Sequence, residues 1–296
     1  MGALDVGAVV PDAPPARRRR DGGAVWRGVF VYVLLTIGAS IMLLPFVWMV
    51  SSSLKREYQV FTLPPQWVPQ PVRWINYYHT LVVLPFLHYF ANTLTVVGLT
   101  ALGDVITCTL TAYAFARLEA PGKDVLFILL LSTLMLPYAV TLIPVFALFD
   151  KLGLVNTYYP LWLPHFFAVS AFLIFLERQF FMGIPKELED AAAIDGAGHL
   201  RILFSIIVPN ALPAIIAVLI FSIQGSWNDF LNPLIYLSSN RLYTLAVGLY
   251  FFIGRHHAYW NYLMAGTTMM IVPLLVLFYF GQRLFVRGIT LTGIKG

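Results

Sequence analysis

Six stretches of about twenty or more predominantly apolar residues run through this 296-residue chain, and nothing else in it restricts the possible folds so severely. A helix rises about 1.5 Å per residue, so each stretch matches the roughly 30 Å hydrocarbon thickness of a bilayer. They fall near Val25 to Val50, Phe90 to Ala114, Val125 to Phe149, Tyr159 to Phe180, Leu212 to Leu234 and Tyr262 to Phe285. Composition agrees, with 59% apolar and only 11% charged residues against about 25% charged in a soluble protein. The expected fold class is all-α: a polytopic membrane protein with six transmembrane helices.

Pro45, Pro137, Pro144, Pro164 and Pro273 lie inside these stretches. A helix bundle in lipid tolerates them, because neighbouring helices and polar side chains satisfy the freed backbone groups. Residues 1–24 form a tail rich in Pro, Ala and Arg with no apolar period, and are expected to be disordered. The tail carries Arg17, Arg18, Arg19 and Arg20, a topology determinant that could also touch anionic lipid. The first span is long and lacks a convincing small-x-small cleavage site, which predicts an uncleaved helix rather than a secretory signal. Cys108 stands alone, so no intramolecular disulfide is possible.

Positive charge is retained on the cytoplasmic side of short connections. With the N-terminus inside, the inner segments hold Arg17 to Arg20, Arg27, Arg117, Lys123, Arg178, Lys186, Arg201, Arg283, Arg287 and Lys295, which is 13 of the 19 Lys and Arg. The outer segments hold Lys55, Arg56, Arg73, Lys151, Arg241 and Arg255. Both termini are therefore expected in the cytoplasm. The first outer segment, Ser51 to Tyr89, sets Trp67, Trp74, Tyr77 and Tyr78 among Pro64, Pro65, Pro69 and Pro71, a composition suited to a headgroup interface.

One long inward segment, residues 181–211, separates the fourth and fifth spans and reads as two short helices at an angle. Pro185 suits a first helical position, and Glu187, Glu189 and Asp190 complement the positive end of a helix. Leu188, Ala191, Ala192 and Asp195 fall at i, i+3, i+4 and i+7, on one face with small residues that let another surface approach. Asp195-Gly196 then breaks the helix, since Gly196 takes positive φ without penalty, and a second helix is expected to end near Pro209. The segment is a compact cytoplasmic knob.

Asp190-Ala191-Ala192, Asp195-Gly196-Ala197, Ile206, Pro209 and Pro213 resemble the EAA loop of ATP-binding-cassette importer permeases. Asp190 stands where that loop has its first glutamate, with Glu189 just before it. Beyond the loop, the chain is similar to the carbohydrate-uptake branch of that family, on the maltose and glycerol-phosphate pattern. The likeness rests on Phe61 to Pro69, Asn76-Tyr77, Asn92-Thr93, Ala112 to Arg117, Trp227 to Phe230 and Gly288 to Gly296.

The resemblance implies a bacterial or archaeal cytoplasmic-membrane location and several partners. These are a second permease subunit, two copies of a cytosolic ATPase that hold the ATP and Mg, an extracytoplasmic solute-binding protein, and membrane lipid. No nucleic-acid partner is expected. It implies that the knob, with Glu189, Asp190, Ala191, Ala192, Asp195, Gly196, Ala197, Pro209 and Pro213, docks on the ATPase and transmits its motion.

The chain carries no Gly-x-x-x-x-Gly-Lys-Ser/Thr phosphate loop, no His-Glu-x-x-His, no Gly-x-Ser-x-Gly and no paired Cys/His set. Neither a catalytic residue nor a metal ligand is therefore predicted, and no cofactor is expected on this chain. Polar groups within spans are costly and hence informative: Asp104, Gln224, Asn228 and Asp229. Trp227, Asn228, Asp229 and Asp104 could line a path for a hydroxyl-rich solute, or could brace the bundle. His165, His199, His256 and His257 are expected near interfaces, without ligand roles. The rival reading is an ion-gradient-driven secondary transporter using Asp104 and Asp229; a non-transporting scaffold is a third.

Overall fold

The structure, a computed structural model, describes residues 22–254 and 258–292, with side chains over 26–254 and 258–282. The Arg17 to Arg20 run, Arg255, His256, His257, Lys295 and the last four residues of the Gly288 to Gly296 stretch lie outside the described residues. The chain divides into two compact units, Met1–Trp48 and Met49–Gly296. In its described part the first is one helical segment, belonging to α1 (Gly22–Ser53), with Pro45 inside the helix. The described helix therefore takes in Gly22, Gly23 and Ala24, three residues of the stretch expected to be tail.

In the second unit α2 (Ile75–Val83) precedes α3 (Phe86–Arg117), the long central helix, and then α4 (Lys123–Ser132) and α5 (Tyr138–Lys151). A short α6 (Tyr159–Trp162) leads through a 3-10 turn into α7 (Ala171–Met182). The knob holds α8 (Glu187–Ile194), α9 (His199–Ile202), a π-helical turn and α10 (Val208–Asn210). Finally come α11 (Leu212–Trp227), α12 (Leu231–Tyr236), α13 (Leu245–Tyr250) and α14 (Trp260–Thr292). Among the described residues these elements and short 3-10 turns are joined by loops, with a single isolated β-bridge between Ile253 and Ala258.

Four helical segments are long and apolar enough to cross a bilayer: Trp26–Ser53, Phe86–Arg117, Trp260–Gln282, and Tyr159–Met182, the last interrupted by the 3-10 turn Leu163–Phe167 and by Ala168 at φ +55°. Two more crossings exist only if bent pairs are counted as one each. The expected third span is broken: Lys123–Met135 and Tyr138–Lys151 meet at 101°. Pro137 stands at the break, immediately before α5, and forces Leu136 into an extended conformation. Pro144 and Pro273, by contrast, remain inside helices, as tolerance in a bundle predicts. The expected fifth span stops at Trp227, seven residues short of Leu234, and meets Val208–Asn210 and its preceding turns at 82°.

The core gathers around α3. Its C-terminal half packs Cys108, Ala112 and Tyr113 against Ile174 and Phe181 of α7 and against Leu203 and Ile207 of the knob. At its other end Tyr89 packs with Leu245 and Leu249 of α13. Asn92 donates there to the carbonyls of Arg241 (2.9 Å) and Tyr243 (3.0 Å), and Thr93 Oγ1 accepts from Leu245 N (2.8 Å). Gly248 lets this contact close, because a Cβ built on it would stand 2.2 Å from Tyr89 Cδ2. The segment after α1 is ordered by Asn76, whose Nδ2 donates to the carbonyls of Ser53 and Lys55, both at 2.8 Å.

Candidate functional site

The knob begins where α7 runs out. Lys186 caps α8, and its carbonyl accepts from Glu189 N at 2.9 Å and Asp190 N at 3.0 Å. Glu187, Glu189 and Asp190 occupy the first turn, where negative charge favours the helix dipole. Pro185 lies ahead of the cap rather than at the first helical position, because the chain is still turning off α7 through Gly183 and Ile184. At the far end Asp195 is the C-cap, Gly196 has φ +81°, Gly196 N donates to Ala193 O (3.0 Å) and Ala197 N to Ala192 O (2.9 Å). This is the Schellman pattern, and the two alanines that it brings together are its accompanying apolar contact.

The face expected from sequence divides in two. Ala192 turns inward and, with Ala197, packs on the core beneath, whereas Leu188, Ala191 and Asp195 stay exposed. Ile194 projects furthest, 87% exposed, with Leu200 exposed across the turn. Pro209 and Pro213 flank the 82° bend. Neither can donate a backbone hydrogen bond, and the ring of Pro213 would clash with the carbonyl of residue 209, so the bend follows from their spacing.

The last residue of α3 binds this knob to the bundle. Arg117 Nη2 donates to Phe181 O at 2.7 Å, a carbonyl that also accepts from Ile184 N, and to Ile184 O, both where the chain leaves α7. Its Nε lies 2.8 Å from Glu189 Oε1, an ionic contact whose alignment is too poor for a hydrogen bond. Both side chains are largely shielded, 5% and 13% exposed. Beside them a polar groove of about 560 Å³ runs past Tyr113, Glu119, Lys186, Asp190 and His199. Arg178 covers the Phe127 ring at 4.1 Å and donates to Phe115 O, so Arg117, Arg178 and Lys186, assigned to one side by charge, gather at one end of the bundle.

Asp104 is 2% exposed and is the centre of a polar cluster. Its Oδ1 accepts from Ser170 Oγ (2.6 Å) and lies 2.9 Å from His165 Nδ1, while Oδ2 accepts from Ser222 Oγ (2.6 Å). One carboxylate thus joins α3, the 3-10 turn after α6, the start of α7, and α11. His165 is drawn into this cluster rather than standing at an interface, because the turn at Leu163–Phe167 delivers it to α3. Gly103 gives that turn room: a Cβ there would lie 2.7 Å from Phe166 Cδ2.

The other candidates stand apart. Trp227 is buried, donates to Met270 O at 3.2 Å and meets the Phe90 ring edge-on at 5.7 Å. Asn228 is exposed and folds back onto Gln224 O (2.9 Å). Asp229 accepts from Asn232 N (3.2 Å) and Asn232 Nδ2 (2.9 Å), capping α12, and Asn232 in turn accepts from Tyr138. Sequence reading passed over Glu177, fully buried in α7, with Oε1 accepting from Thr109 at 2.7 Å. Its signal was present as an acid inside an apolar run, masked by the adjacent Arg178 and the nearby end of the span.

Residues 109–291 match the family described as binding-protein-dependent transport system inner membrane component. The chain is 32% identical over 291 residues to the probable ABC transporter permease protein YurM of Bacillus subtilis (strain 168), covering 97% of this chain and 93% of that protein. It is 38% identical over 208 residues to the arabinooligosaccharides transport system permease protein AraQ of Halalkalibacterium halodurans, covering 70% and 74%. To the sn-glycerol-3-phosphate transport system permease protein UgpE of Yersinia pestis it is 32% identical over 270 residues, covering 88% and 95%. The fold is similar to a chain of a bacterial ABC transporter importing the acidic polysaccharide alginate, with TM-score 0.77 and 23% identity, over 90% of this chain and 99% of that one.

Proposed function

The chain belongs to the family of binding-protein-dependent transport system inner membrane components, the permease subunits of ABC importers, and from that premise we propose that its knob docks on a cytosolic ATPase to drive uptake of a sugar or sugar-like solute. This chain forms one half of the translocation path and a second permease forms the other. Two ATPase copies bind ATP and Mg, and their closure and release switch the path between outward and inward openings, while an extracytoplasmic binding protein delivers the solute. Both termini face the cytoplasm, in keeping with the distribution of Lys and Arg. The names of the relatives, an arabinooligosaccharide and a glycerol-phosphate permease, favour a hydroxyl-rich solute.

One observation carries the docking reading. The α8 turn is locked by the Schellman pattern at Gly196, is seated on the core by Ala192 and Ala197, and presents Ile194 and Leu188 outward. A lever needs a stiff body, a firm seat and an apolar tip, and these residues supply all three. Ion-coupled transport is disfavoured because both Asp104 oxygens and both Asp229 oxygens already accept from donors within the protein.

Cysteine at Ile194, in a chain whose Cys108 is replaced by serine, tests the docking. Ile194 is the better position than Ala197, which is packed against the bundle. Crosslinking to the cognate ATPase subunit is expected in at least one nucleotide state. Failure in every state, with the complex intact, overturns the docking.

A further inference from the structure

We propose that Arg117 is the positioning residue through which α8 moves α3, so that the ion pair with Glu189 is a latch between the knob and the central helix. The proposal rests on the docking reading above and deepens it. An ATPase that moves the knob achieves nothing unless the knob is tied to a helix lining the path. The apolar seat of Ala192 and Ala197 resists compression but gives little resistance to pulling or sliding, since apolar contact is non-directional. The Arg117 guanidinium resists such motion in two ways: its hydrogen bonds to the Phe181 and Ile184 carbonyls are directional, and its charge attraction to Glu189 opposes separation of α8 from α3.

Arg117 is placed for that task. It ends α3, and one side chain reaches the Phe181 and Ile184 carbonyls at the foot of α7 and the Glu189 carboxylate in the first turn of α8. Three elements therefore meet on one guanidinium, shielded from competing water. From there α3 runs as one helix of 32 residues to Phe86. On the way Asp104 ties it to α7 and α11, and at its far end Asn92 and Thr93 tie it to the 241–245 segment. Displacing the knob with the latch closed therefore displaces the far end of α3. With the latch open, α8 slides on its alanine seat, while Leu203 and Ile207 of the knob stay packed in the core, and α3 lags behind α8.

The test uses the whole complex of both permeases and the ATPase, with Cys108→Ser. Spin labels go on Leu87→Cys in the first turn of α3 and on Ile194→Cys at the knob, both exposed. Their separation is measured at rest and after ATP–vanadate trapping. With Glu189 intact, one narrow distance is expected in both states, because α3 follows the knob. In Glu189→Gln the two states are expected to differ by about half a helical pitch, ~2.7 Å, or more. Arg117→Gln should behave likewise, and the double variant should be no worse than the worse single one, as residues acting on each other require.

If Arg117→Gln does not accumulate, Glu189→Gln decides alone, since it removes the charge without changing the shape of the side chain. An unchanged distance in Glu189→Gln, or a distance already changing with Glu189 intact, overturns the latch. Failure of the docking reading is separate and shows as absence of the Ile194 crosslink.

Discussion

Replacing Asp104 by alanine should be among the most damaging single changes to the bundle, whereas asparagine there should be nearly tolerated. Alanine removes the acceptor for Ser170, Ser222 and His165 at once and leaves their donors in a site where Asp104 is 2% exposed. A hydrogen bond to a charged group is worth about 1.5–3 kcal/mol, but removing the carboxylate also removes its own desolvation cost. Each donor left unsatisfied in a buried site costs about 1–3 kcal/mol, so the loss of the partner of both serine hydroxyls costs about 3–5 kcal/mol in all. Asparagine keeps a carbonyl oxygen for His165 and Ser170 and turns its amide to Ser222, whose hydroxyl can accept, so the loss falls to about 0.5–1.5 kcal/mol.

At about 2–4 °C per kcal/mol for a domain of this size, Asp104→Ala should lower Tm by about 6–20 °C and Asp104→Asn by no more than about 6 °C. Intrinsic tryptophan fluorescence of the complex in detergent during a thermal ramp reads both. If alanine and asparagine shift Tm equally, or alanine leaves it unmoved, the carboxylate does not hold the bundle together and the reasoning from its three donors is wrong.

Two further substitutions test other parts of the account. Gly196→Val places a β-branched residue at φ +81°, a conformation costing L-residues about 1–2 kcal/mol, so expression should remain near normal while the Ile194 crosslink and uptake fall; undiminished transport refutes the role given to this turn. Gly248→Ala puts a methyl 2.2 Å from the Tyr89 ring and should cost about 1–3 kcal/mol, read as a lowered Tm, whereas an unchanged Tm shows that α13 moves aside freely.

How much of this was legible in the sequence depended on what each signal encodes. Apolar runs record where the chain meets lipid but not which way it points, so the stretches were visible while the 101° break at Pro137 was not. A proline has a ready local reading in a span and in a break alike. Pro144 lies in the first and Pro137 at the second, and only the packing around them separates the two. The knob was more readable because its determinants are local: acids at the helix start, Asp195-Gly196 at its end, and Pro209 and Pro213 at the bend.

Nonlocal partnerships were the hidden part. Asp104 looked solitary because His165, Ser170 and Ser222 lie 61 to 118 positions away. Arg117 was counted only as a topological charge, although it pairs with Glu189, far along the chain. Neither link has a spacing that sequence alone could reveal.

The account depends on ATP, hydrolysed by a docked partner, being what moves solute through this chain. The direct measurement is uptake into proteoliposomes containing both permeases and the ATPase, with the binding protein outside, ATP inside and no ion gradient. Labelled arabinotriose and glycerol 3-phosphate serve as probes. Accumulation of a probe that needs internal ATP and stops when the ATPase is omitted is the predicted result. Accumulation that follows a proton or sodium gradient and persists without ATP would contradict it.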